Sequence, residues 1–196
     1  MASRLSPSNP LFGLPVHEIV KFWDDRGKEA AQKGTFLHEQ IEKYYLGETP
    51  VKTDEFHLFE QFVSEHRNIK PYSSEWRVFD EEFHIAGTID LIAKNEHGYD
   101  IFDWKRSKKV IYTFTGKPIT DDGWGNVGIG SLKDINDTSY NQYCLQQSLY
   151  RYILEKNYNL TISNMYLVIL YPDYNQYYKV PVPYLKDKVV YILKTL

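Results

Sequence analysis

GTIDL at residues 87–91 and IFDWK at residues 101–105 decide how this chain is read. Both stretches are rich in β-branched and aromatic residues, and side chains of a strand alternate between its two faces. That alternation predicts one face for Thr88, Asp90 and Ile92. It predicts another for Asp103 and Lys105, with Phe102 and Trp104 turned the opposite way. If the two strands pair, Asp90 and Asp103 converge. Neighbouring carboxylates repel unless positive charge lies between them. Mg²⁺ or Mn²⁺ meets that need, because hard cations take oxygen ligands and keep several waters. Lys105 is then placed to contact an attacking water or a phosphate, an arrangement suited to phosphodiester hydrolysis. An Asp-x-Lys triplet is cheap by chance, and the same residues also fit a hairpin whose acids are solvated or paired with lysine.

Outward from this pair, Glu75–Phe79, Phe83–Ala93 and Tyr99–Lys105 are expected as strands, with a turn at 95–98 between the last two. Before them the pattern is helical over Val16–Gln32, is interrupted by Gly34, resumes over Thr35–Leu46 and appears again over Thr53–Asn68. Residues 1–15 hold three prolines and several serines and are expected as an extended arm. Residues 110–138 hold glycines at 116, 123, 125, 128 and 130 and show no clear period, which predicts a long loop. A helix over Tyr140–Asn157, strands over Met165–Leu170 and Gln176–Val180, and a helix over Leu185–Leu193 complete the chain. The expectation is a single α/β domain over 16–196, with a mixed central sheet flanked by helices.

Length and composition are those of a soluble globular domain: 196 residues, 42% hydrophobic, 25% charged. The net charge of −3 shows no global basic field, although metal-binding acids can mask a local basic groove. A lone cysteine, Cys144, excludes an internal disulfide and a four-cysteine iron–sulfur cluster. The N-terminal stretch lacks the apolar core of a secretory signal, and no apolar run is as long as a membrane span, so an intracellular, soluble protein is expected.

Further motifs flank the strand pair. In GTFLH at 34–38, His38 falls on one helical face with Ile41 and Tyr45. A core-facing histidine taken alone is more often structural, but a converging carboxylate pair turns it into a candidate ligand. In QQSLY at 146–150, Gln146 and Tyr150 share a helical face and can donate hydrogen bonds to phosphate, although ordinary amphipathic packing gives the same spacing. Arg106, Lys108 and Lys109 extend Lys105 into a basic run that can follow a phosphate backbone. Within the loop, Tyr112, Phe114 and Trp124 are rings able to stack on bases.

These motifs, in this order, resemble the RecB-like branch of the PD-(D/E)xK nucleases. That branch carries Gly-x-x-x-His, Gly-x-x-Asp, (Asp/Glu)-x-Lys and Gln-x-x-x-Tyr. Here they read GTFLH at 34–38, GTID at 87–90, DWK at 103–105 and QQSLY at 146–150. The resemblance implies a restriction-endonuclease-like core with His38, Asp90, Asp103 and the Trp104 carbonyl as ligands of Mg²⁺ or Mn²⁺. It makes Lys105 the catalytic lysine and Gln146 and Tyr150 DNA-orienting residues. Glu75 matches a position where the family often has an acid. Because four cysteines are lacking, the chain is similar to cluster-free members, such as the mitochondrial genome maintenance exonuclease and phage nucleases. The expected activity is that of a DNA exonuclease favouring single-stranded ends, in replication, repair or recombination and in company with proteins of those processes. A structure-specific or restriction-type endonuclease and a non-catalytic DNA-binding module are the alternatives.

Overall fold

The computed structural model describes residues 6–195. In chain order its elements are α1 (Val16–Tyr45), α2 (Asp54–Glu65), β1 (Lys70–Asp80), β2 (Ile85–Asn95), β3 (Gly98–Lys105), β4 (Ile111–Tyr112), β5 (Lys117–Pro118), α3 (Ser139–Asn157), β6 (Ile162–Ile169), β7 (Tyr178–Pro181) and α4 (Lys186–Thr195). A five-stranded sheet runs in the order β1-β2-β3-β6-β7. The β3–β6 pair is parallel and the other neighbours are antiparallel, so the sheet is mixed.

Helices cover both faces of the sheet. On one side, Leu37 and Ile41 of α1 and Phe56, Phe59 and Phe62 of α2 close over Leu91, Phe102, Trp104 and Val168. On the other, Cys144, Tyr150, Ile153 and Leu154 of α3 and residues after β7 close over Val78, Ile89, Ile101, Leu167 and Ile169. Trp104 is 1% exposed, and its ring meets Phe59 and Phe62 edge-on at 5.3 and 5.5 Å. Truncating such a ring to alanine typically costs about 3–5 kcal/mol. This anchor fixes which way β3 faces, and so turns Asp103 and Lys105 towards α3. Among the described residues, no helix is long and apolar enough to cross a membrane.

Two expectations are corrected at the N-terminus. Residues 6–14 form successive turns, with Asn9 N–H donating to the Ser6 carbonyl and Phe12 N–H to that of Asn9, and Leu11 is buried. The expected extended arm is therefore coiled over these residues, and its residues 1–5 lie outside the described ones. The helices expected over 16–32 and 35–46 are one helix of 30 residues. Gly34 stays in it because good helix formers flank it and one glycine costs only ~1 kcal/mol relative to alanine. The segment 110–138 is also more built than expected. Ile111–Tyr112 and Lys117–Pro118 form a small hairpin, Gly130–Leu132 a 3₁₀ turn, and Val127 bridges to Asn136.

An alanine Cβ at position 34 would meet no atom within 4 Å outside the helix's own backbone. Gly34→Ala should raise stability by roughly 0.5–1 kcal/mol, read as a higher melting temperature. A clear loss would show that the helix does break there.

Candidate metal and phosphodiester site

β2 and β3 are hydrogen-bonded from their turn only as far as the pair Leu91–Phe102. Beyond it the strands part, and Asp90 fills the fork. Its Oδ2 accepts the Trp104 N–H at 2.8 Å, a backbone donor freed where the β2–β3 ladder has ended. Trp104 and Lys105 remain paired on their other side, with Val168 and Ile169 of β6. The alternation of β2 slips at the same point. Ile89 packs with the α3 core and Leu91 with the α1–α2 core, although residues two apart ordinarily share a face. Opposite lies Glu75, with φ of 46°, a left-handed backbone uncommon for a residue with a side chain. The expected common face for Asp90 and Ile92 does not form: Ile92 joins the α3 core, and Asp90 turns into the fork.

α1 passes over this fork and contributes His38. Its Nε2–H donates to the Trp104 carbonyl at 2.9 Å, while Nδ1 lies 3.5 Å from Asp90 Oδ1 and 3.7 Å from Glu75 Oε1. One donor atom from each of His38, Glu75 and Asp90 lies within 4.8 Å of the others, the spacing of a set that can share one ion. Asp103 is buried on the neighbouring strand, with its Oδ2 2.6 Å from Lys105 Nζ. At that distance the two form a close ion pair, shut off from solvent on the carboxylate side.

Electrostatics mark the fork as a site with too much negative charge. Burial, and then the charge of Asp103, push the Asp90 carboxyl up to about 7. Burial by itself would lower His38, but Glu75, Asp90 and Asp103 outweigh it and raise the imidazole to about 9. For Lys105, burial again opposes the charge, and the two aspartates prevail, holding the ammonium above its ordinary value. Near neutral pH the protein thus meets its buried carboxylates with an imidazolium and an ammonium.

Of the ligands expected from the sequence, His38, Asp90 and the Trp104 carbonyl meet directly, and Glu75 joins them. Asp103 lies close enough to raise Asp90, while its Oδ2 faces Lys105. Tyr150 is seated against the fork. A Cβ at Gly87 would stand 2.4 Å from its Cε1, so only glycine leaves room for the ring. The Tyr150 hydroxyl accepts from Gln146 Nε2 at 3.3 Å, and burial followed by Asp103 and Asp90 raises it above the ordinary phenol value. Lys108 and Lys109 are exposed. Arg106 is not free: its Nε donates to Glu55 Oε1 at 2.5 Å, and its guanidinium lies 5.4 Å from the Tyr171 ring centre. Trp124 and Phe114 are 81% and 100% exposed, so neither ring is packed onto the fold.

Two partners lie outside the sequence reading. Glu55 sits in the first turn of α2, far from Arg106 in the chain, and nothing in its surroundings in the sequence signals the pair. Tyr143 carries the Lys105 ammonium 4.7 Å above its ring, and its spacing of three and seven residues from Gln146 and Tyr150 could have placed it on their helical face. Compared with known proteins, the chain matches no protein-family model and no curated sequence.

The contact between Gly87 and Tyr150 is testable without any assay of activity. Gly87→Ala should destabilise the protein by about 1–3 kcal/mol, because the ring has to leave its seat. Adding Tyr150→Ala should make the glycine substitution nearly free, a coupling read by a double-mutant cycle. Additive losses would mean that the ring does not rest on Gly87.

Proposed function

We propose that the chain is a metal-dependent deoxyribonuclease with a restriction-endonuclease-like core, hydrolysing phosphodiester bonds from DNA ends. One observation carries the reading: a fork in the sheet where buried Asp90 meets His38 and Glu75, with buried Asp103 on the neighbouring strand paired to Lys105. The donor set fits a hard divalent cation. It is made of carboxylates and one imidazole, with one donor atom each from His38, Glu75 and Asp90 within 4.8 Å of the others. Asp90, Asp103, His38, Glu75 and the Trp104 carbonyl are the groups that would hold Mg²⁺ or Mn²⁺, the imidazole favouring Mn²⁺. When bound, the cation supplies an acidified water and positive charge at the leaving oxygen.

The chain's own residues do the rest. Lys105 holds its ammonium beside the carboxylates and stabilises the charge that grows on the phosphate. Tyr150 and Gln146 offer a hydroxyl and an amide as neutral hydrogen-bond partners for a phosphate oxygen. Lys108 and Lys109, exposed directly after Lys105 and Arg106, extend the contact along the backbone. Arg106 ties the end of β3 to α2 through Glu55 and does not contact DNA while so engaged. Exposed Trp124 and Phe114, on the segment that leaves the end of β3, stack on unpaired bases and favour single-stranded ends. Work in replication, repair or recombination, in company with proteins of those processes, follows from such a substrate.

End-labelled linear DNA should be degraded with Mg²⁺ or Mn²⁺ and left intact in EDTA. Asp103→Asn, which removes charge but little volume, should lower the rate by at least ~1000-fold with the fold preserved. Full activity in EDTA or in Asp103→Asn would remove the metal mechanism. Cleavage of a closed circular substrate would replace the exonuclease reading with an endonuclease.

Trp124→Ala should weaken binding of a single-stranded oligonucleotide by roughly 5- to 100-fold, the equivalent of one stacked base. Thermal stability should not change, since the ring is exposed. An early-melting variant with normal binding would make the loop structural instead.

A further inference from the structure

Lys105 ends a long flexible side chain at the last residue of β3. Its backbone is fixed, since it pairs with Ile169 of β6 and its carbonyl accepts the Leu170 N–H. Its ammonium is held from two sides. Asp103 Oδ2 lies 2.6 Å away on the same strand, and the Tyr143 ring lies 4.7 Å away on α3. The carboxylate alone would draw the ammonium onto itself. A ring attracts a cation with its face but takes no proton from it and is a much weaker hydrogen-bond acceptor than a carboxylate. Tyr143 therefore counters Asp103 without binding the ammonium as tightly as a second carboxylate would.

The rest of α3 explains why the ring is there. Tyr143, Gln146 and Tyr150 fall at i, i+3 and i+7 on one helical face, and Tyr150 is locked in place by the gap at Gly87. The contact that seats Tyr150 also fixes the rotation of α3, and that rotation presents Tyr143 to Lys105. We propose that Tyr143 is the positioning residue of Lys105, holding the ammonium between its ring and Asp103 where the scissile phosphate is met. The catalytic part of this inference rests on the nuclease reading above; the placement does not.

The test separates the two. In metal-free protein labelled with ¹³C-lysine, the ε-methylene signal of Lys105 should carry a ring-current shift. Tyr143→Leu should abolish that shift and Tyr143→Phe should keep it. In the cleavage assay, Tyr143→Leu should lower kcat about tenfold with KM changed less than about twofold, and Tyr143→Phe should restore most of the rate. Pentafluorophenylalanine at 143 keeps the ring's shape but reverses its polarity. It should behave like leucine in kcat, and it serves as the second variant if Tyr143→Leu fails to fold. A Lys105 signal that ignores Tyr143→Leu, or equal kcat for the phenylalanine and pentafluorophenylalanine proteins, would overturn the proposal. A wild-type protein that cleaves nothing, yet shows the ring-current shift and its loss, would overturn the nuclease reading and leave the placement standing.

Discussion

A single hydrogen bond, from the Trp104 N–H to Asp90 Oδ2, holds open the place where β2 and β3 part. Backbone donors inside a protein need partners, and at the end of a ladder the partner is usually water or the next strand. Here it is a side chain, and the substitution has two consequences. It draws a carboxylate 94% removed from solvent into the sheet, 6% of Asp90 remaining exposed. It also leaves the Trp104 carbonyl to accept from His38 on the helix above. The strands cannot close without expelling Asp90, and Asp90 cannot leave without orphaning Trp104. The fork is therefore part of the fold, and the acidic site is built into the architecture.

Both helical layers serve that fork. The aromatic packing of α2 on Trp104 fixes the orientation of β3, so that Asp103 and Lys105 point at α3. The long helix α1 is buried only near its C-terminal part, at Leu37, Gln40 and Ile41, with His38 amid these anchors and Ile19 the one buried residue further along. From α3, Tyr150 closes against Gly87 and Tyr143 against Lys105. The Arg106–Glu55 pair fastens the end of β3 to the first turn of α2. Charges that repel one another at the fork are thus held by packing that lies mostly outside it, which is how a strained local arrangement persists.

Much of this was legible in the sequence. The alternation of IFDWK gave Asp103 and Lys105 one face and Trp104 the other, because β3 is regular and its period is two. His38 was legible from its place on the stripe with Ile41. Other features depend on contacts that local patterns do not carry. Glu75 reaches the site through a left-handed backbone on β1, and Asp90 through a slip in the alternation of β2. Gly34 does not end the helix because Glu29, Ala30, Ala31, Gln32 and Lys33 before it are all good helix formers and carry α1 through. In 110–138, buried Val110 and Ile111 anchor the segment at its start, and two adjacent buried residues set no period for the rest.

The groups proposed to hold a divalent cation at the fork also bind protons. Protons on Asp90 and His38 compete with the ion, so affinity should rise as pH passes about 7, where Asp90 loses its proton, and rise further towards about 9, where His38 does. Calorimetric titration of the protein with Mn²⁺ at pH 6, 7 and 8, in buffers of different ionisation enthalpy, measures affinity and proton release together. Binding should tighten as pH rises, release protons, and be lost in Asp90→Asn. Absent binding, or binding indifferent to both pH and Asp90→Asn, would contradict that proposal.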